Sequence, residues 1–280
     1  MKRLLPERLR LYLRRFGRLR WITKARKLRA EGGDQWSWLR RTRYVLADPE
    51  VDTYTYEVAN QDELAEVLGR VVDRSAGDVS RLMGQAQADH ALGRGLARQI
   101  GWRALYMKPR PSLPAHHLAA WVLIRTQRPE VAVEAGVLEG LGSRVMLRAL
   151  ELNARDGSDG VLVSLDTLPN AGHALVGAQL AARWEPVCAP APDGLEAAIR
   201  GRRVTFFLSD SLPDRAHILS ELEALRPLLS PGAVLMTVHG WTGALEEFAS
   251  MHGGTVERFK EQPRDHFYDG RDLGWLRMPG

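Results

Sequence analysis

From residue 131 onward, short apolar runs alternate with helical periodicity. Val131-Ala132-Val133 sits between Pro129 and Gly136 and leads to a strand end at Glu134. Val161 to Leu165 forms a second run, closed by Asp166, and Arg203 to Leu208 a third, closed by Ser209-Asp210. Ala233 to Val238 is a fourth, introduced by Pro231-Gly232, and Pro186-Val187-Cys188 is a shorter one. Ile218, Leu222, Leu225 and Leu229 repeat at helical spacing between the third and fourth runs. Strands that are apolar throughout, separated by helices, predict a parallel sheet covered on both faces. Thr255–Phe259 and Leu273–Arg277 predict a terminal hairpin.

The first 115 residues carry a different pattern. Leu5, Leu9, Tyr12, Leu13, Phe16 and Leu19 mark one helical stripe, with arginines at 8, 10, 14, 15 and 18 on the other side. Glu31 to Asp34 breaks that pattern. Leu64, Val67, Leu68 and Val71, then Val79, Leu82 and Met83, predict helices within 60–105, and Asn60 with Glu63 resembles a capping box. Pro109, Pro111 and Pro114 cannot lie inside a helix or a central strand. The reading is a mostly helical region over 1–115 and a sheet-based domain over 116–280.

Charge sharpens that division. Residues 1–43 hold 15 Lys or Arg against 3 Asp or Glu, whereas the remainder holds 24 against 31. The net charge of +5 thus belongs to one segment, which reads as a helix packed on its own body, docked on a partner or dimer mate, or laid on an anionic membrane. Trp21, Trp36, Trp38 and Tyr44 lie near these cations, but no recognised nucleic-acid module accompanies them. At 45% hydrophobic and 26% charged residues the composition is globular. The single cysteine, Cys188, excludes an intrachain disulfide and a multi-cysteine metal site. Arginines interrupt every apolar stretch near the start, so neither a secretory leader nor a membrane span is expected, and the expected location is cytoplasmic.

The informative stretch is Val131 to Arg144. Gly136 and Gly140 permit a sharp turn after the first strand, and a helix is expected to begin near Ser143. Glycines at 136, 140 and 142 do not make the dinucleotide fingerprint, and no Gly-Lys-Ser/Thr ending supports a P-loop. The spacing Glu134-x-Gly136-x-x-x-Gly140 resembles the first motif of class I S-adenosylmethionine-dependent methyltransferases. Asp166, 30 residues after Gly136, matches the ribose-holding acid of that family. Phe206–Pro213 is similar to a fourth-strand motif of the family, and Leu228–Met236 to its approach to the fifth strand. The resemblance covers about residues 116–280. It implies a Rossmann-like, doubly wound, mostly parallel seven-stranded α/β sheet of order 3-2-1-4-5-7-6, with an N-terminal helical extension.

The same resemblance implies S-adenosylmethionine as cofactor, with Glu134, Gly136, Gly140, Ser143, Asp166 and Asp193 around it. Two departures stand out. Cys188–Asp193 displaces the acid of the adenine side, and Val238-His239 stands where many relatives carry an acidic pair, so no metal is expected. An oxygen nucleophile needs a proton acceptor, and His239 and Asp210, at the openings of the fifth and fourth strands, are the catalytic candidates. His116 and His117 are expected near the cofactor mouth; His217 reads equally as a helix-surface residue. Glu134 reads either as a cofactor contact or as an acceptor for turn N–H groups. Three functions follow: methyl transfer to a hydroxyl or amine of a small metabolite, such as a sugar or natural-product intermediate; a non-methylating displacement or elimination on the same fold; or a scaffold recruited through the basic arm.

Overall fold

The computed structural model describes residues 57–93, 113–138, 140–264 and 270–280. The basic stripe of 5–19, the break at 31–34, the aromatic residues at 21, 36, 38 and 44, and most of the proline connector lie outside them.

Among the described residues three helices precede the sheet: α1 (Gln61–Val72), α2 (Ala76–Ala88) and α3 (Ala115–Gln127). The rest alternates as β1 (Val131–Ala135), α4 (Leu141–Arg155), β2 (Val161–Asp166), α5 (His173–Val176), β3 (Trp184–Cys188), α6 (Ala191–Ile199) and β4 (Val204–Ser209). Then follow α7 (Arg215–Leu225), β5 (Leu229–Thr237), α8 (Ala244–His252), β6 (Thr255–Lys260) and β7 (Asp272–Arg277). The strands form one seven-stranded sheet of order β3-β2-β1-β4-β5-β7-β6. The first five run parallel, and β7 is antiparallel to both β5 and β6, as the hairpin reading expected. Pro186 is tolerated because β3 is an edge strand.

Alternation along the strands builds two cores. Ala132, Leu162, Phe206 and Val234 face α1–α4, while Val133, Val163, Phe207 and Leu235 face α6–α8. Because both faces are covered, β1 is buried at all five positions, which is why it reads as one apolar run. Helix α3 is buried over Ala115–Ile124. A helix apolar all round must be enclosed, and α1, α2 and α4 enclose it. Among the described residues no helix is long and apolar enough to cross a membrane.

Two local expectations change. Asn60 precedes α1 but does not cap it with its side chain. Its amide instead donates to Glu63 and to the Lys260 carbonyl and accepts from the Gln262 N–H, so it ties α1 to the end of β6. Helix α4 begins at Leu141 rather than near Ser143, with Gly140 in the left-handed region just before it.

Candidate active site

The strand order reverses between β1 and β4, where crossovers leave toward opposite faces and open a crevice at the carboxyl ends. The turn after β1 occupies that crevice. Gly136 donates to the Leu165 carbonyl, and Asp210 donates its N–H to the Ala135 carbonyl, binding the turn to β2 and β4. Gly136 and Gly140 both have φ of 89°. A Cβ on Gly136 would lie 2.3 Å from the Asp210 carbonyl oxygen, and one on Gly140 would lie 2.5 Å from the Gly172 Cα. Glycine is required at both positions by conformation and by space.

Asp166, at the end of β2, holds this turn. One carboxylate oxygen accepts the N–H groups of Val137 (2.8 Å) and Leu138 (2.9 Å), and the other accepts from Leu168 (2.8 Å). The fork that the sequence reading reserved for a sugar diol is therefore already engaged with main chain, although each oxygen keeps some acceptor capacity. Asp166→Asn replaces one accepting oxygen with a donor, which cannot face an N–H. Charge-assisted bonds of this kind are worth roughly 1.5–3 kcal/mol. The expected result is a lower melting temperature in thermal melts.

Glu134 is 2% exposed and faces the α3–α4 layer. It accepts from Ser143 Oγ (2.5 Å) and Ser164 Oγ (2.8 Å), and Ser164 in turn accepts from Trp184 Nε1 (3.0 Å). Burial pushes its carboxyl up to about 8; the two serine bonds pull it down, and the nearby Asp210 and Asp166 charges add to the rise. Gly142 leaves room beside it, since a Cβ there would lie 2.8 Å from Glu134 Oε1. The carboxyl is thus held mostly neutral, with no positive partner among the described residues.

The β4 and β5 ends supply the polar side of the crevice. Asp210 lies 3.5 Å from Arg271, with its side chain 30% exposed. Burial raises its carboxyl, and Arg271 pulls it back. Behind it Glu221, fully buried, accepts from Ser209 Oγ (2.6 Å) and Ser211 Oγ (2.5 Å) and meets His217 Nε2 at 3.0 Å. His217 is therefore a bracing residue of α7 rather than a free surface group. His239 follows β5; burial and the Arg271 charge lower its pKa, opposed by a main-chain bond to Ser211. Its Nε2 is buried without a hydrogen-bond partner among the described residues.

On the first turn of α3, His116 (2% exposed) and His117 (4%) pack with ring centroids 3.9 Å apart. Burial keeps His116 well below the ordinary imidazole range, aided by the charges of His117, Arg271 and His239. The same burial, with Arg271, takes His117 down to about 3. The Nδ1 atoms of both lack a partner among the described residues.

Glu134, Gly136, Gly140, Ser143, Asp166 and Asp210 thus converge on one turn. Asp193 does not join them: it is exposed in the first turn of α6, where it complements the helix dipole. Sequence reasoning missed Ser164, Trp184, Glu221 and Arg271. Ser164 in an apolar strand, and Glu221 on the apolar face with Ile218 and Leu222, were the available signals. Arg271 gave none. Among the described residues no three His, Cys, Asp or Glu side chains group as a metal site.

The sheet order and the glycine turn are those of a methyltransferase-type Rossmann-like fold. Residues 133–238 match a family model described as a methyltransferase domain. The solved O-methyltransferase TomG of Streptomyces achromogenes, involved in tomaymycin synthesis and in complex with SAM, is similar at 19% identity. That match covers 69% of this chain and 91% of TomG, with a TM-score of 0.50. An O-methyltransferase from Bacillus cereus in complex with SAH is similar at 16% identity, covering 72% of this chain and 97% of its own, also with a TM-score of 0.50. No curated protein matches the chain.

Proposed function

We propose that the protein transfers a methyl group from S-adenosylmethionine to a hydroxyl or amine of a small metabolite. The observation that carries this reading is Glu134, a buried, nearly neutral carboxyl beside the glycine turn with no cationic partner among the described residues. A bound methionine ammonium would supply that cation, so the residues present fit the cofactor. Gly136 and Gly140 let main chain approach it, Ser143 orients Glu134, and Asp166 fixes the turn. Asp193, at the start of α6, would face the adenine side. When bound, S-adenosylmethionine supplies an activated methyl group. The chain aligns the acceptor and takes its proton. His239, held neutral by its surroundings, has a partnerless nitrogen for that proton. Asp210 with Arg271 fixes the loop from which Ser211 steadies His239. The resemblance of the fold to two O-methyltransferases supports oxygen as the acceptor atom. Helices α1 and α2, which cover the histidine-bearing α3, belong on this reading to an N-terminal helical region (1–115) that shelters the site.

Calorimetry with S-adenosylhomocysteine tests the reading; saturable binding is expected, and none would defeat it. The alternative, a non-methylating enzyme on this fold, is favoured by one observation, the prior engagement of Asp166 with main chain. His239→Gln is expected to lower methyl transfer about 100-fold, within the usual range for losing a general base, with S-adenosylhomocysteine affinity unchanged.

A further inference from the structure

One buried carboxyl lies apart from the glycine turn. Glu221 shares the buried face of α7 with Ile218, Leu222 and Leu225, and its side chain has no exposed surface. An apolar side chain would bury there without penalty, whereas a carboxyl is tolerated only when hydrogen-bonded. Glu221 is bonded at both oxygens. Oε2 accepts from Ser209 Oγ (2.6 Å), Oε1 accepts from Ser211 Oγ (2.5 Å), and His217 Nε2 meets Oε1 at 3.0 Å. Asp214 holds the same turn of α7 by accepting the His217 N–H at 2.9 Å. The carboxyl thus grips the last residue of β4 and the second residue of the loop beyond it.

That loop reaches His239. Strands β4 and β5 end in register, with Ser209 beside Thr237, and the Val238 N–H donates to the Ser209 carbonyl at 3.2 Å. Ser211 and His239 each stand two residues past that pair. The main chain of His239 is fixed from its own strand: its N–H donates to Thr237 Oγ1 (3.1 Å), and its carbonyl accepts from Thr242 Oγ1 (2.9 Å). The ring is fixed from the β4 side, by the main-chain bond to Ser211. That bond favours the protonated imidazole, so the ring donates and the Ser211 carbonyl accepts. Nε2 has no partner among the described residues, which leaves Nδ1–H as the donor. An unrestrained imidazole prefers its proton on Nε2, and in that form Nε2 could not accept another.

Resting on the methyltransferase reading, we propose that Glu221 is a positioning residue: through Ser211 Oγ it holds the Ser211 carbonyl where it keeps His239 in the Nδ1–H tautomer, with Nε2 open to the acceptor's proton. Ser209 and His217 complete the bonding of the carboxyl and hold Glu221 in place. When the acceptor loses its proton, Nε2 takes it and Nδ1 keeps its own.

The test is long-range nitrogen–proton NMR of the full-length protein carrying isotope-labelled histidine, at about pH 8, where ordinary imidazoles are neutral. The His239 ring is identified as the signal lost in His239→Gln. The parent is expected in the Nδ1–H form. Ser211→Ala, at a half-buried position, cuts the link to Glu221 and leaves the carbonyl. It should shift the ratio of the two tautomers about tenfold toward Nε2–H, roughly the worth of one hydrogen bond. Glu221→Met, apolar and of similar length, should do the same, and Ser211→Ala decides the question if that variant does not fold. Ser211→Thr keeps the hydroxyl and should keep the parent tautomer. Ser209→Ala removes a bond to the same carboxyl from the strand rather than the loop, and should move the ratio less than about twofold. A parent in the Nε2–H form, a Ser211→Ala spectrum matching the parent, a Ser211→Thr spectrum matching Ser211→Ala, or an equal effect of Ser209→Ala overturns the proposal. Failure of S-adenosylhomocysteine to bind the parent protein refutes the methyltransferase reading instead, and the spectra, recorded without ligand, still decide whether Glu221 sets the tautomer.

Discussion

Gly136→Ala is expected to weaken S-adenosylhomocysteine binding about 1000-fold and to destabilise the protein. Two costs add. At φ 89° an alanine is held in a region L-residues avoid, at about 1–3 kcal/mol. Its Cβ would also lie 2.3 Å from the Asp210 carbonyl oxygen and 2.8 Å from the Ser211 nitrogen. Those atoms are main chain at the end of β4, so no side-chain rotation relieves the contact; the turn or the β4 loop must move. A shift of either spoils the Asp166 clamp and the placement of Asp210. About 4 kcal/mol corresponds to the 1000-fold expected. Gly157→Ala is the control: its φ is 85°, yet nothing lies within 4 Å of the added Cβ. It should lower the melting temperature modestly and leave binding intact. Calorimetry and thermal melts on the two variants separate strain from obstruction.

Glu134→Gln is expected to stabilise the ligand-free protein at alkaline pH while impairing cofactor binding. Glu134 titrates near 4.5 when unfolded and about 8 when folded. Between those values the folded state binds the extra proton, so stability is complete below 4.5 and is lost as pH rises toward 8. The full loss is about 5 kcal/mol at 1.36 kcal/mol per unit. Glutamine cannot ionise and removes that slope. Urea titrations from pH 7 to 9, above the range in which His116 and His117 contribute a slope, should show the wild type weakening and the variant level. S-adenosylhomocysteine binding at pH 7 should release close to one proton from the wild type, because the ligand's ammonium favours the carboxylate. Calorimetry in two buffers of different ionisation enthalpy measures that release, and the variant should show none. On the acid side the sign reverses. His117, lowered from 6.5 to about 3, keeps its contribution above 6.5 and loses it as pH falls toward 3, and His116 acts in the same direction. Stability of the free protein should therefore peak between the two arms.

This arrangement has a functional logic. Glu134 is unfavourable in the empty site and favourable beside a cation, and His116, His117 and His239 each keep one buried ring nitrogen without a partner among the described residues. Sites that bind and react commonly retain such stability costs.

The sheet was legible because both of its faces are covered. That burial makes β1, β2, β4 and β5 continuous apolar runs, and the glycines after β1 mark the one turn that must bend sharply. Side-chain commitments were not legible in the same way. Asp166 has one position in the chain whatever it holds, and only the fold reveals that it accepts from the N–H groups of Val137 and Leu138. Asn60 and Glu63 have the spacing of a cap, but β6 passes close enough to take the amide instead. Trp184 reaches Ser164 because β3 pairs with β2 in a parallel register that sets Leu162 beside Trp184. Arg271 reaches Asp210 from β7's approach, across a separation no local pattern encodes. The sequence alone determined the layers, the strand–helix order and the place of the turn, since these follow from periodicity and local conformation. The tertiary structure decided which charges are buried, which are paired and which imidazoles remain without partners, because each of those depends on contacts between segments far apart in the chain.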